Sequence, residues 1–543
     1  MSRTEAGTRA AAVAAVAIGT LAAAAYVGLT TQIAQPMVQD EFSYLLAADT
    51  FRHGRLSNPA HPLALAFETF HVLDSPSYAS KYPPGQGFFL WLGLAVSDPP
   101  IVGVWLGTAA MAGAVVWMLL GFLPLRWAVI GGGLAAARFG VVGPWAHSYW
   151  GGGVAALSGA LALGAGIRLL DRRHPRDAVV LAIGLFGLAN SRPYEGLLLS
   201  IPIAIALALQ TQGAPGLAHF VRRVALPTGI ALALGLAWMG YYNARITGNP
   251  LQMPYALYEQ ETPVPLFAFQ PLGERTASYG HKRITQQRID FVMETWDQPR
   301  AVSWLAADIT GSRLLPSWDF FLGWLWAAPL LGLPFALKRA APRLLLACVA
   351  IEMAGTLITT FMMTHYLAPM TAAVVGLVTL GLWQIDGLRL ARQPVGRWAV
   401  VVWLCLAALQ LASRVDEHVQ IPSMWNRLRA GLEQALVETP HSHLILVEYA
   451  DDYPIVAEWV YNKAAIDESP VVWARSRGAR QDRIVADYFP ERQIWRLLMS
   501  GGARLGPHPL GRDRGPFPFD RVVGDWAPRD SWDAIRGSPD STN

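Results

Sequence analysis

The sequence has 543 residues, of which 53% are hydrophobic and only 15% charged, with a net charge of +4; soluble domains carry roughly 25% charged residues. That deficit argues against an ordinary soluble enzyme, and the lack of a basic block or aromatic–basic array argues against nucleic-acid binding. Cys348 and Cys405 both fall inside apolar runs, which argues against a disulfide framework or a thiolate metal site.

Apolar runs recur from the N-terminus to about residue 414, and runs of roughly 18 residues or more read as membrane-spanning helices. The first, AAAVAAVAIGTLAAAAYVGL, is too long for a signal-peptide core and is read as a retained span. About eleven spans are expected, centred near residues 20, 110, 135, 160, 184, 203, 233, 326, 352, 375 and 405. The segment 87–97 is short and followed by SDPP. It is expected to be an interfacial or re-entrant helix, because ~11 residues rise only ~16 Å against a ~30 Å core.

Arginine and lysine set the orientation. Arg3, Arg9, Arg126, Arg168, Arg172, Arg173, Arg176, Arg222, Arg223, Lys338, Arg339, Arg343, Arg389, Arg392 and Arg397 all land on one face if the spans number eleven, and that face is assigned to the cytoplasm. The opposite face receives the first loop (31–99), a long loop (244–315) and everything beyond residue 414. Residues 415–500 alternate strand-like runs (HLILVEY, VVWARS, QIWRLLM) with helix-like ones (PIVAEWVYNKA, RQDRIVADYF), the pattern of a small α/β domain. Residues 501–543 are rich in Gly, Pro, Arg and Asp and are expected to be loosely structured.

The polar motifs crowd that same outer face. Asp40 and Glu41 open QDEFSYLLAADTF; they suit the N-terminus of a surface helix, and equally a general base with a partner or the two arms of a divalent-metal site. Lys81 opens KYPPGQG on a stiff, extended backbone, where it would either snorkel or meet a lipid phosphate. In NSRPYEGLL, the preceding apolar run is only about 13 residues, or ~20 Å of helix, so either the bilayer is locally thinned or Asn190, Arg192 and Glu195 lie below the membrane surface. Ionisable groups at that depth are functional candidates, and a guanidinium matches a phosphate. Arg138 could join Arg192 or snorkel outward. Glu352 reads as structural pairing inside the bundle. His147 and Tyr149 in PWAHSYWGGG, and His365 and Tyr366 in THYLAP, are either interface anchors or substrate contacts.

The order of these motifs resembles the membrane glycosyltransferases of the GT-C superfold: an acidic pair in the first outer loop, then K-x-P-P-G before an interfacial helix, then NSRPYEGLLLSIP, then THYLAP. It is most similar to the protein O-mannosyltransferase-like and aminoarabinose-transferase-like enzymes of glycosyltransferase family 39 and relatives, in which a KPP element often stands where KYPPGQG stands here. The likeness covers about residues 10–415. This resemblance implies a polytopic helical membrane protein with a transmembrane GT-C-like domain over 1–414. It implies a polyprenyl-phosphate-sugar donor, an acceptor of unspecified kind (lipid, glycan or protein), and inverting transfer on the periplasmic face of a bacterial inner membrane. By the same resemblance Asp40 is the general base or a metal-linked acid, Glu41 its supporting acid, and Lys81, Arg192 and Arg138 the phosphate ligands. The chain departs from the pattern in having Arg-Pro-Tyr-Glu where Lys-Gly-Pro is usual, and in its α/β tail. A transporter or flippase would need polar residues in both membrane halves; a non-enzymatic scaffold would use the outer tail and leave the acids idle.

Overall fold

The computed structural model describes residues 2–31, 33–210, 214–261, 265–270, 308–415, 424–450, 453 and 457–499. Among the described residues, seven helices are long and apolar enough to cross a membrane: Arg3–Thr30, Ile101–Leu119, Gly152–Asp171, Gly216–Thr247, Ala340–Leu357, Thr364–Asp386 and Val395–Ser413. The chain is thus a multi-pass membrane protein in its helical part. The other four expected spans are shorter or interrupted. Leu125–Ala135 widens into a π-helical turn over Ala136–Val141. Pro175–Ala189 and Pro193–Ala208 have 15 and 16 residues. The crossing near residue 326 changes from α to 3-10 geometry at Ala328, where Pro329 and Pro334 supply no N–H. The segment read as interfacial is the 13-residue helix Pro84–Val96.

Burial sorts the helices. Ile101–Leu119, Gly152–Asp171 and Thr364–Asp386 are central and mostly buried, whereas Arg3–Thr30 and Gly216–Thr247 turn nearly all their side chains outward. Those outward side chains, such as Ile230, Leu234 and Leu236, are what a hydrocarbon solvent accepts and water does not. Close approach at the centre depends on small residues. A Cβ on Gly159 would lie 2.0 Å from the Pro369 carbonyl oxygen, and one on Gly184 would lie 2.6 Å from the Ala162 nitrogen.

The first loop carries a small antiparallel sheet in the order β1 (Asn58–Pro59), β3 (Ser77–Ser80), β2 (Val72–Leu73), with Asn58 opposite Tyr78 and Val72 opposite Ser80. Strands of two residues leave no alternation to read in sequence. The expected long loop starts after Thr247, where Gly248 at φ +79° ends the helix, and holds the helix Pro254–Glu261; residues 262–264 and 271–307 lie outside the described residues, as does the expected tail 501–543.

Toward the C-terminus, β4 (His443–Tyr449) lies between β5 (Val471–Arg475) and β6 (Gln493–Met499), all parallel, accompanied by the helices Met424–Val437 and Ala479–Tyr488. The three strands and the second of the two expected helices match the sequence pattern. The first does not: residues 458–463 of PIVAEWVYNKA are not helical. Their backbone is claimed by side chains, which compete with a helical ladder. Tyr449 Oη accepts from the Trp459 N–H, Glu458 Oε1 accepts from the Val460 N–H, and Arg429 donates to the carbonyls of Trp459 and Tyr461.

This sheet does not have a core of its own. Phe42, Leu46, Phe67, Val72 and Tyr78 of the first loop share one apolar cluster with Leu444, Ile445, Trp459, Tyr461 and Trp473. At its centre Phe42 stacks on Tyr461 with ring centroids 4.2 Å apart and planes within 4°, and the Arg429 guanidinium lies 5.1 Å from the Phe42 ring. Replacing Phe42 by Ala is expected to cost about 3–5 kcal/mol and to loosen both segments together. Hydrogen exchange in detergent should show lost protection in residues 39–52 and in β4–β5; a loss confined to one of the two would contradict the shared core.

Candidate active site

The helix Gln39–Arg52 places its two acids in opposite surroundings. Glu41 is buried, and its carboxylate accepts from the backbone N–H groups of Met37 (2.6 Å) and Val38 (3.2 Å) through Oε2 and of Tyr149 (2.7 Å) through Oε1. It thereby caps its own helix and ties it to the segment 144–150. Asp40 keeps 32% of its side chain exposed. Tyr82 Oη donates to Asp40 Oδ1, and His71 Nε2 lies 3.5 Å from the same oxygen. With Glu41 turned inward, the two carboxylates do not converge on one metal ion. Among the described residues, no group of three or more His, Cys, Asp or Glu is placed to hold one.

His71 sits at φ +64°, a backbone region that non-glycine residues enter rarely and chiefly at functional positions. It is held there on both sides. Its carbonyl accepts from Ser43 Oγ (2.6 Å) and from the Lys81 N–H (3.2 Å), and its N–H donates to Tyr258 Oη (3.1 Å). Tyr82 in turn packs against Tyr44 with centroids 4.6 Å apart. Burial, and after it the charge of Asp40, pushes the Tyr82 phenol well above its ordinary pKa, so it remains a donor to Asp40 at any physiological pH.

Lys81 is only 3% exposed. Its ammonium lies 4.3, 4.9 and 5.3 Å from the ring centroids of Tyr258, Tyr255 and Tyr82 and 3.3 Å from Glu259 Oε1. The KYPPGQG turn is docked directly on the NSRPYEG turn: the Gly85 N–H donates to the Asn190 carbonyl at 2.8 Å. A Cβ at Gly85 would sit 2.6 Å from that same oxygen, so only glycine permits the approach. Arg192 therefore enters the same pocket, with its guanidinium 4.1 Å from the Tyr366 ring centroid and within electrostatic range of Tyr44, Tyr82 and the buried Glu195. Tyr366 meets His365 edge to face, and His365 stacks on Trp150 at 4.7 Å.

Beside this polar pocket runs an apolar groove of about 880 Å³ between the helices Pro84–Val96, Gly152–Asp171, Pro175–Ala189 and Leu226–Thr247. Phe88, Trp91, Leu157, Phe186 and Trp238 are among its walls, and Pro84, Gly85 and Asn190 close one end. Pro84 and Asn190 also line the cleft that contains Lys81.

Not every expected contact residue reaches the pocket. Arg138 donates to the carbonyl oxygens of Asp319 and Phe320 and lies 4.6 Å from the Trp326 ring; it braces the broken crossing. His147 Nε2 is 2.7 Å from the Val141 carbonyl oxygen, and Tyr149 Oη donates to the Ala34 carbonyl at 2.9 Å. Both pin the wall behind Glu41. Conversely, Tyr44, His71, Tyr82, Tyr258 and Glu259 belong to the pocket without standing out as functional residues in the sequence. Tyr82 lies within KYPPGQG, and Tyr255 and Tyr258 are three residues apart in YALYEQE, the spacing of one helix face. No sequence signal marks the backbone of His71.

No family model and no curated protein matches the sequence. Solved structures similar to the chain include the archaeal oligosaccharyltransferase AglB from Archaeoglobus fulgidus in complex with an inhibitory peptide and a dolichol-phosphate (12% identity, TM-score 0.47, 88% of this chain and 69% of that one). Others are ArnT from Cupriavidus metallidurans in the apo state (13%, 0.49, 89% and 92%) and ArnT bound to undecaprenyl phosphate (14%, 0.45, 88% and 88%).

Glu41 yields a pH prediction. Burial pushes its carboxyl up, three backbone N–H donors pull it back, and it comes to rest at about 7 against an ordinary 4.5. A carboxyl raised on folding favours the folded state fully below pH 4.5, and that share is lost as pH climbs through about 7. The shift corresponds to ~3 kcal/mol. Thermal unfolding in detergent should therefore show stability falling between pH 4.5 and 7, and Glu41→Gln should flatten that slope while lowering stability at every pH.

Proposed function

We propose that the protein transfers a sugar from a polyprenyl-phosphate carrier to an acceptor on the outer face of a bacterial inner membrane, with inversion at the anomeric carbon. One observation carries this reading. Asp40, Lys81 and Arg192, from three separate segments, meet around Tyr82 at the edge of an apolar groove. A carboxylate, two cations and an apolar channel are the elements that an amphipathic phosphate donor requires.

In this reading the isoprenoid tail lies in the groove and the phosphate reaches Lys81 and Arg192. The sugar's anomeric carbon then faces Asp40, whose exposed oxygen removes the proton from the acceptor's hydroxyl or amine. The acceptor atom bonds to the anomeric carbon as the bond from that carbon to the phosphate oxygen breaks, and the electron pair leaves with the phosphate. Lys81 and Arg192 stabilise the charge that develops there. His71 and Tyr82 hold the Asp40 carboxylate in one orientation. A donor already activated by phosphate needs no nucleotide site. Eleven crossings, with the first loop, the Pro254–Glu261 helix and the C-terminal sheet all on the periplasmic side, complete the arrangement; the transmembrane unit spans 1–414 and the α/β unit 415–500.

Mass spectrometry of lipid-linked sugars and envelope glycans after gene deletion identifies the donor and acceptor. In cells carrying Asp40→Asn, the transferred product should drop by roughly 10²–10⁴-fold with the protein still folded and inserted. Lys81→Met should weaken undecaprenyl phosphate binding by roughly 10–100-fold, equivalent to about 1.5–3 kcal/mol. Unchanged glycans with Asp40→Asn would defeat the assignment of Asp40.

A further inference from the structure

The Lys81 site already contains an anion. Glu259, on the short helix Pro254–Glu261, places Oε1 3.3 Å from the Lys81 ammonium. Tight charge-assisted contacts of this kind run at roughly 2.7–2.9 Å, so the pair is a loose one. It is also asymmetric: the lysine is 3% exposed and the glutamate 18%, so the ammonium is the more deeply buried of the two. A phosphate that reaches Lys81 must share the ammonium with Glu259 or displace it.

We propose that Glu259 holds the place of the donor's phosphate and is exchanged for it on binding, an inference that rests on the reading of this pocket as a phosphate-ester site. The exchange is nearly neutral in charge. A phosphodiester between carrier and sugar bears one negative charge, as does a carboxylate, so the buried ammonium keeps a counter-ion throughout and never bears the cost of an unpaired buried charge. The helix that carries Glu259 is pivoted at its neighbour. Tyr258 is 1% exposed, accepts the His71 N–H, and packs with Leu73, Ala79, Tyr242 and Ile246. Glu259 can therefore swing outward while Tyr258 stays seated. Because His71 also faces Asp40, the residue that anchors this helix and the residue that orients the base are the same. Glu259 is a positioning residue here: it keeps Lys81 aimed into its tyrosine cage until a phosphate replaces it, and it competes with the carrier phosphate that remains after transfer.

The test is equilibrium binding of undecaprenyl phosphate, and separately of inorganic phosphate, to the full-length protein in detergent by native mass spectrometry. Glu259→Gln keeps the shape and removes the competing charge. It should bind undecaprenyl phosphate about 5-fold tighter, the fold-change of a competing ion pair worth ~1 kcal/mol. The gain should vanish in a Lys81→Met background, where there is no ammonium to compete for. If Glu259→Gln does not fold, Glu259→Asp, which withdraws the carboxylate by one methylene, should give a smaller gain of the same sign. Equal or weaker lipid binding by the glutamine variant overturns the inference, as does a gain that persists in Lys81→Met or that appears for inorganic phosphate alone. Absence of undecaprenyl phosphate binding by the wild type and all variants would instead overturn the donor assignment itself.

Discussion

A lysine ammonium buried to 3% exposure in a largely apolar chain must be compensated, and much of the first loop and its neighbours is arranged around that compensation. Isolated burial of such a charge is prohibitive. Here three tyrosine rings offer their negative faces, and one carboxylate offers its charge. Each of these groups has a second attachment. Tyr82 donates to Asp40, Tyr258 accepts from the His71 backbone, and the Lys81 N–H itself donates to the His71 carbonyl. The cation, the candidate base and the strained histidine form one connected unit.

The position of that unit is fixed from two directions. On the membrane side, the Gly85 contact with Asn190 brings the first loop onto the start of the helix Pro193–Ala208. Arg192, just before that helix, packs its guanidinium on the Tyr366 ring. On the outer side, Phe42 lies between Tyr461 and Trp425, only two residues from Asp40. The C-terminal sheet is thus part of the scaffold of the site. Asp49 makes the same point: its carboxylate accepts from the Ala464 N–H at 2.8 Å, so both ends of the helix Gln39–Arg52 are held by residues far along the chain.

Much of this was legible from the sequence, for identifiable reasons. The long apolar runs, the short interfacial helix after KYPPGQG, and the three parallel strands declared themselves by hydropathy and period. Asp40, Lys81 and Arg192 were each picked out by their motifs, and in the fold all three lie around Tyr82. What escaped notice has physical causes too. Residues 458–463 carry a helical composition but give their backbone bonds to Tyr449, Glu458 and Arg429, contacts made only in the folded chain. Arg138 looks like a phosphate ligand in a list of intramembrane arginines, yet its donors satisfy the Asp319 and Phe320 carbonyls at the end of the helix Leu315–Phe321, where the chain turns at Gly323 with φ +61°. His71 is invisible because a positive φ leaves no mark on residue type unless the residue is glycine or asparagine.

Asp40 and Glu41 show how far environment outweighs residue type. Adjacent on a helix, they point roughly 100° apart, and that angle decides everything that follows. Glu41 turns toward backbone N–H groups from its own helix start and from Tyr149 and becomes a structural acid whose charge costs stability as pH rises. Asp40 turns toward the pocket, keeps a third of its surface open, and receives one phenol and one imidazole. Shifting the acidic pair by one residue would bury the base and expose the clamp. The helix must hold its register for the site to exist, and Glu41 is the residue that holds it, so the buried acid defines the position from which the exposed one acts.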